Sequence, residues 1–428
     1  MSELFTPKRG YVRRVVDDEL DLLFSQLSAI HLDGPKGVGK TTTAMQRCQT
    51  VRRLDSRAER TILEADPNVI AFDTPPVLID EWQRVPAVWD AVRRIVDDDN
   101  TPERFVLTGS APMAGTHSGA ARIADVRVRP LTLHERGVGS PTVSFRELLT
   151  GTKAKVAGRS HLTLSDYVNE IIAGGFPGMR HLTGRALVKQ LDGYLNRIVS
   201  HDMPEAGFRV NRPATVRAWL AAYAAATATT ASWETIRDAA SVGRSTTPSK
   251  STSSSYTDLL TQLRILDPLE AWLPGSNHFK KLGAAPKHHL ADPALAARLL
   301  NRTREHLLSG DSGNTSRVED GTLLGALFES LVALTVRTYA QSVGAQTFHL
   351  RDHGGRHEVD FVIEHEGRIL GIEVKLGGNI NANDVKHLKW LGDILGDDVL
   401  DLVVITTGPE AYRRDDGVAV VPLGLLGV

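Results

Sequence analysis

The run Gly34-Pro35-Lys36-Gly37-Val38-Gly39-Lys40-Thr41 constrains this chain more than any other segment. It follows the apolar residues Ile30 to Leu32 and precedes a stretch that reads as helix from about Thr41. Glycines let a tight loop turn its backbone N–H groups inward, because no Cβ stands in the way. The helix that follows adds its unpaired N-terminal N–H groups and the positive end of its dipole. A strand–loop–helix of this kind holds phosphates. Gly34, Pro35, Lys36, Gly37, Val38, Gly39, Lys40, Thr41 and Thr42 are therefore the candidate nucleotide-binding residues. Lys40 is placed to reach the β- and γ-phosphates and the Thr41 hydroxyl to ligate magnesium, so ATP with Mg2+ is the expected ligand.

Val77-Leu78-Ile79-Asp80-Glu81 supplies the second half of such a site. An apolar strand ending in Asp80 brings a carboxylate to the magnesium side, and Glu81 is the candidate that polarises the attacking water. Phe105 to Leu107 is a third strand, ending in Thr108-Gly109-Ser110, whose hydroxyls are candidates for contact with the terminal phosphate or the water. Arg122 and Arg129 are candidates for an arginine that meets developing charge, in cis or from a neighbouring subunit, which makes a homo-oligomer a possible assembly. Short apolar strands alternating with helical stretches, polar at their carboxyl ends, predict a mostly parallel α/β sheet with its ligand at those ends.

The 428 residues exceed one domain of ordinary size, and the reading divides them into residues 1–205, 206–275 and 276–428. A net charge of −1 gives no bulk attraction to nucleic acid, so any DNA contact needs a local basic patch. Cys48 is the only cysteine, which excludes an intrachain disulfide and fits a reducing, cytoplasmic location. The first residues lack the apolar stretch of a signal peptide, and Ala218 to Trp233 is shorter than the roughly 20 residues of a spanning helix, so no membrane segment is expected.

Ser160 to Arg209 reads as helical, broken by a turn at Gly174-Gly175-Phe176-Pro177-Gly178. Further on, Trp233 to Ala239, a Ser/Thr-rich run and Tyr256 to Leu260 can form helix, turn and second helix. Arg244 and Lys250 would fall where base or phosphate contacts lie, with Arg209, Arg212 and Arg217 adding charge. Taken alone, Ser241 to Ser255 reads as a flexible loop.

The last block carries a different chemistry. In His357 to Ile363, Val359, Phe361 and Ile363 share one face and Glu358 and Asp360 the other; in Gly371 to Lys375, Glu373 and Lys375 share the polar face. A hairpin-type loop, Glu364 to Arg368, joins the two strands, so Asp360, Glu373 and Lys375 can converge, with Glu329 on the preceding helix as a further carboxylate. Asp360 and Glu373 are candidate magnesium ligands, and Lys375 a group that orients or deprotonates water for phosphodiester attack.

With these residues in hand, the chain resembles a family of bacterial and archaeal AAA-type ATPases whose C-terminal domain is related to restriction endonucleases. The resemblance rests on Gly34–Thr41, Val77–Gln83, Phe105–Ser110, Arg129–Glu135, Gly174–Gly178, Pro286–Pro293, Leu327–Glu329, Glu358–Phe361 and Ile372–Lys375. It implies an α/β chain: an AAA-like P-loop ATPase core, a winged-helix-like middle and an α/β restriction-endonuclease-like (PD-(D/E)XK-like) end. Lys40, Thr41, Asp80 and Glu81 then take the ATPase roles, and Asp360, Glu373 and Lys375 the nuclease roles. The chain departs from its relatives at Ala121-Arg122, where they tend to show Gly-Arg. Three functions stay open: an ATPase coupled to DNA cleavage, a nucleotide-gated DNA-binding switch, and a protein-interaction ATPase without nucleic acid.

Overall fold

The computed structural model describes residues 10–109, 122–242, 248–272, 285–309, 320–352 and 356–428. Ser110 and Arg244 lie outside the described residues.

The first sheet is built from β1 (Ala29–Asp33), β2 (Thr50–Arg53), β3 (Val77–Asp80), β4 (Phe105–Gly109) and β5 (Ile123–Arg127), in the order β2-β3-β4-β1-β5. Every pairing is parallel. Parallel sheets are covered on both faces, so their strands read as continuous apolar runs; β1, β3 and β4 are buried throughout. Side chains alternate across the strands. Ala29, Val77, Ile79, Phe105 and Leu107 pack on one face with Trp82 and Trp89. Ile30, Leu32, Leu78 and Val106 pack on the other, in the large cluster that also takes Val38 and Ala44. Continuing the same alternation puts Asp80 and Thr108 on the face of the glycine loop, where they are direct register partners.

The C-terminal part is a second, mixed sheet. Two short strands come from the first half of the chain, β6 (Val143–Ser144) and β7 (Gly158–Arg159). The rest are β8 (Gln346–Arg351), β9 (Glu358–His365), β10 (Arg368–Lys375), β11 (Val399–Thr406), β12 (Glu410–Arg413), β13 (Ala419–Pro422) and β14 (Leu426–Gly427). The seven-stranded order is β7-β12-β13-β11-β10-β9-β8, and β6 pairs with β14 alone. Gly158–Arg159, grouped by the sequence reading with residues 1–205, therefore pairs with β12 of the seven-stranded sheet, and Val143–Ser144 pairs with β14. Two-residue strands carry too little periodicity to reveal this.

Helices fill the middle. Leu164–Ala173 and Gly184–Arg197 flank the Gly174–Gly178 turn, as the glycines and proline predict. Pro213–Ala225, Trp233–Ala239 and Lys250–Gln262 follow. The last of these corrects the loop reading for Lys250 to Ser255; residues 243–247 of that run lie outside the described residues. Ser249 caps the helix by accepting the N–H of Thr252 at 3.1 Å, and Ser253, Tyr256, Leu259 and Leu260 are buried along it. Leu266↔Leu290 and Leu269↔Lys287 then form antiparallel bridges. The long helix Asp320–Ser342 buries Leu327, Phe328, Leu331, Val332, Val336 and Tyr339 in the same cluster as the glycine-loop face of the first sheet. Its segment Leu323–Ser342 is the one candidate among the described residues long and apolar enough to cross a membrane, and it sits mostly inside the fold.

Candidate nucleotide site and a second acidic cluster

The glycine loop leaves β1 at Asp33 and enters the short helix Lys40–Ala44. Gly34 lies against β5's continuation: a Cβ there would stand 2.2 Å from the Val128 carbonyl oxygen. Gly39, which precedes the helix, has φ +97°, a conformation side chains rarely adopt. Lys40 is buried and its Nζ donates to the Gly34 and Pro35 carbonyls at 2.7 and 3.0 Å. Burial pushes its ammonium down to about 8, with Glu81 opposing. A buried cation held only by its own loop's carbonyls is poised for an anionic partner.

Thr41 and Thr108 each donate a hydroxyl to Asp80 Oδ1, at 2.7 and 2.5 Å. The three oxygens thus meet at the carboxyl edge of β3 and β4, beside the loop. They are hard oxygen donors of the kind magnesium takes, so the residues present fit the ion. Glu81 has φ +59° and turns out of the strand; its Oε2 accepts the Gln83 amide at 2.6 Å.

Not all the predicted residues meet there. Lys36 points away, with Nζ 2.8 Å from both Asp202 and Glu205. Arg122 does not reach the loop of its own chain. It stands just before β5, at the edge of the sheet opposite the loop, and pairs with Asp97 at 2.7 Å. Its position one residue ahead of a strand parallel to β1 makes this unavoidable, and no sequence spacing revealed that strand. Arg129 is also committed elsewhere: Nε to Asp267 at 3.2 Å and Nη1 to Gln341 at 2.8 Å. Asp267 gathers Arg129, Arg127 and Arg337 around it, and they hold its carboxyl far below the ordinary range despite its burial. Arg264, which the sequence reading passed over, reaches Asp33 at 2.5 Å.

The Gly174–Gly178 turn covers the loop. Cβ atoms built on Gly37 and Gly39 would lie 3.9 Å from Phe176 and 3.7 Å from Pro177. Asp292 holds the turn: it is fully buried and accepts the N–H of Gly175 at 2.6 Å and of Ala294 at 2.8 Å.

The second site lies between the long helix and β9–β10. These strands pair antiparallel, with Ile372 opposite Phe361, so the next pair in register is Glu373 and Asp360. Lys375 Nζ bonds Glu373 Oε1 at 2.8 Å, and the Val374 N–H donates to Asp360 Oδ2 at 2.9 Å. The expected convergence of Glu329, Asp360, Glu373 and Lys375 is present, beside a cavity of about 530 Å³ that they line.

One residue enters unannounced. Lys287, on the bridge segment after the middle helices, is 1% exposed and places Nζ 2.8 Å from Glu329, 2.9 Å from Asp360 and 3.3 Å from Glu358. The magnesium expected at Asp360 and Glu373 does not fit the arrangement present, because the lysine ammonium already occupies Asp360 Oδ1 and the facing Glu329 Oε1. Burial and then the Asp360 charge push Glu329 and Glu373 up to about 8. Burial would raise Asp360 too, but Lys287 overrides it and holds it low.

The parallel sheet, the glycine loop and the Thr41–Asp80–Thr108 contact give the first part of the chain the arrangement of a P-loop ATPase-like fold. Comparison with known proteins agrees: residues 26–136 match the profile of a family described as an AAA domain. Residues 164–306 and 324–426 match families described as domains of unknown function, DUF8612 and DUF4143. The chain is similar to Uncharacterized protein Rv2008c of Mycobacterium tuberculosis, 26% identical over 354 residues, covering 80% of this chain and 69% of the relative. The same figures hold for Uncharacterized protein Mb2031c of Mycobacterium bovis. Among solved structures it is similar to the Walker-type ATPase PABY2304 of Pyrococcus abyssi, at 15% identity and a TM-score of 0.40, covering 69% of this chain and 97% of that one.

Proposed function

We propose that this protein is a magnesium-dependent ATP hydrolase that acts as a nucleotide-gated DNA-binding switch, with a C-terminal domain that holds rather than cuts. The observation that carries the ATPase half is the meeting of Thr41, Asp80 and Thr108 beside Lys40. On binding, Lys40 turns from its loop carbonyls to the terminal phosphates, and the loop N–H groups hold the β-phosphate. Magnesium, when bound, neutralises charge building on the leaving group. Glu81 is the residue that orients and polarises the attacking water.

The DNA half is supported by helices Trp233–Ala239 and Lys250–Gln262 followed by the antiparallel pair around Leu266 and Leu290, an order compatible with a winged helix. Lys250 heads the second helix and, among the described residues, pairs with exposed Glu234, at 3.0 Å. Pairs so exposed contribute little, so a phosphate can displace it. In favour of cutting stands the side-by-side placement of Asp360, Glu373 and Lys375. Lys287 speaks against a metal among them, and the switch reading is preferred for that reason. The test is DNA binding as a function of salt, with and without ATP. Binding should weaken steeply with salt, and Lys250→Ala should flatten the slope by about one unit. Affinity that ignores salt and nucleotide would replace this reading with a protein-interaction ATPase.

A further inference from the structure

We propose that the Lys287 ammonium is the resident cation of the C-terminal acidic cluster, standing where the nuclease resemblance implies a divalent metal. The inference goes beyond the ATPase reading and does not depend on it.

An ammonium has three N–H donors, and here the carboxyl groups of Glu329, Asp360 and Glu358 surround it at 2.8, 2.9 and 3.3 Å. Its side chain is 1% exposed. Its placement is set by backbone as well as by charge. Lys287 and Leu269 exchange both N–H···O bonds at 2.8 Å, which aims the side chain from the bridge segment into the cluster. Asp360 Oδ2 accepts the Val374 N–H, and Glu373 Oε1 is taken by Lys375. Glu373 Oε2 is buried without a partner, but a hard cation requires several oxygens and would have to share Asp360 or Glu329 with the ammonium. A divalent ion that shared Asp360 Oδ1 would also stand against the lysine charge. Entry of such an ion therefore requires Lys287 to leave, and with it the bridge segment that it pins to the long helix and β9.

The experiment is a titration of the nucleotide-free, full-length protein with Mn2+, read by calorimetry and by the paramagnetic resonance of free Mn2+. Wild type should bind no Mn2+ that Asp360→Asn removes. Lys287→Met, which keeps length and loses charge, should gain one Mn2+ site at least about tenfold tighter than any wild-type binding (roughly 1.4 kcal/mol). That site should vanish in the Lys287→Met/Asp360→Asn double variant. Lys287→Arg, which keeps the positive charge, should bind no more Mn2+ than wild type. Micromolar wild-type binding lost in Asp360→Asn would overturn the proposal, and so would a folded Lys287→Met that gains no site. Should Lys287→Met fail to fold, the wild-type and Asp360→Asn titrations decide the matter by themselves.

Discussion

Asp292→Ala removes the carboxylate that ties the turn over the nucleotide loop to the body of the protein. The side chain is 0% exposed and accepts two backbone N–H groups, at 2.6 Å from Gly175 and 2.8 Å from Ala294. Arg136 stands 3.9 Å away, itself buried and bonded to the Leu131 and Glu170 carbonyls. Hydrogen bonds to a charged group are worth about 1.5–3 kcal/mol each, so two give about 3–6 kcal/mol. Against this stands the relief of no longer burying a carboxylate, whose cost is visible in the upward shift of its ionisation. The net loss should be about 3 kcal/mol, near the low end for breaking a buried charged contact. Asp292→Asn keeps the shape and one acceptor oxygen but turns an amide N–H toward a backbone donor, and should lose about half as much. The assay is urea unfolding at constant m-value, paired with the KM for ATP. Because Phe176 and Pro177 rest on Gly37 and Gly39, KM should rise in both variants. A stability change under about 1 kcal/mol in Asp292→Ala, with KM unmoved, would refute the reasoning.

Two further outcomes follow from titration. The Lys40 ammonium lies at about 8 in the free protein against an ordinary 10.5. ATP binding should therefore take up a proton near pH 8–9 and weaken above it, read by calorimetry in buffers of different ionisation enthalpy; binding without proton uptake there would contradict this. Glu329 and Glu373 sit at about 8 against an ordinary 4.5. The native state then binds more protons than the unfolded chain between roughly pH 5 and 8, so the stability contributed by these groups falls as pH rises through that window. Thermal melting should show the decline in wild type and a flatter profile in Glu329→Gln/Glu373→Gln.

The parts legible in the sequence are those where one strand end carries its own chemistry. Lys40, Thr41 and Asp80 could be read because the loop motif and an apolar strand ending in Asp are local patterns, and alternation alone put Glu373 beside Asp360. What escaped depends on distant segments meeting. β5 has no long apolar run, so nothing showed that Arg122 precedes a strand and faces the wrong edge of the sheet. Lys287 lies 42 residues from Glu329 and 73 from Asp360. It was noticed only as part of a shared motif, because a lysine between apolar residues carries no periodic signal of its own. Pairing of β7 with β12 and of β6 with β14 is likewise a tertiary fact, since two residues cannot display a period. The serine-rich start of helix Lys250–Gln262 shows the opposite case: weak helix formers were held by a cap and by burial of Tyr256 and Leu260.

The most direct test of the central claim is steady-state ATP hydrolysis by the full-length chain, wild type against Glu81→Gln, with ATP affinity measured alongside. Glu81 follows Asp80 at the edge of the loop, and its charge acts on Lys40 without bonding it. Wild type should turn over ATP only with magnesium. Glu81→Gln should bind ATP as tightly and lose about 100-fold or more in rate, the scale expected when a general base is removed. Wild-type turnover in Glu81→Gln, or magnesium-independent turnover in wild type, would contradict it.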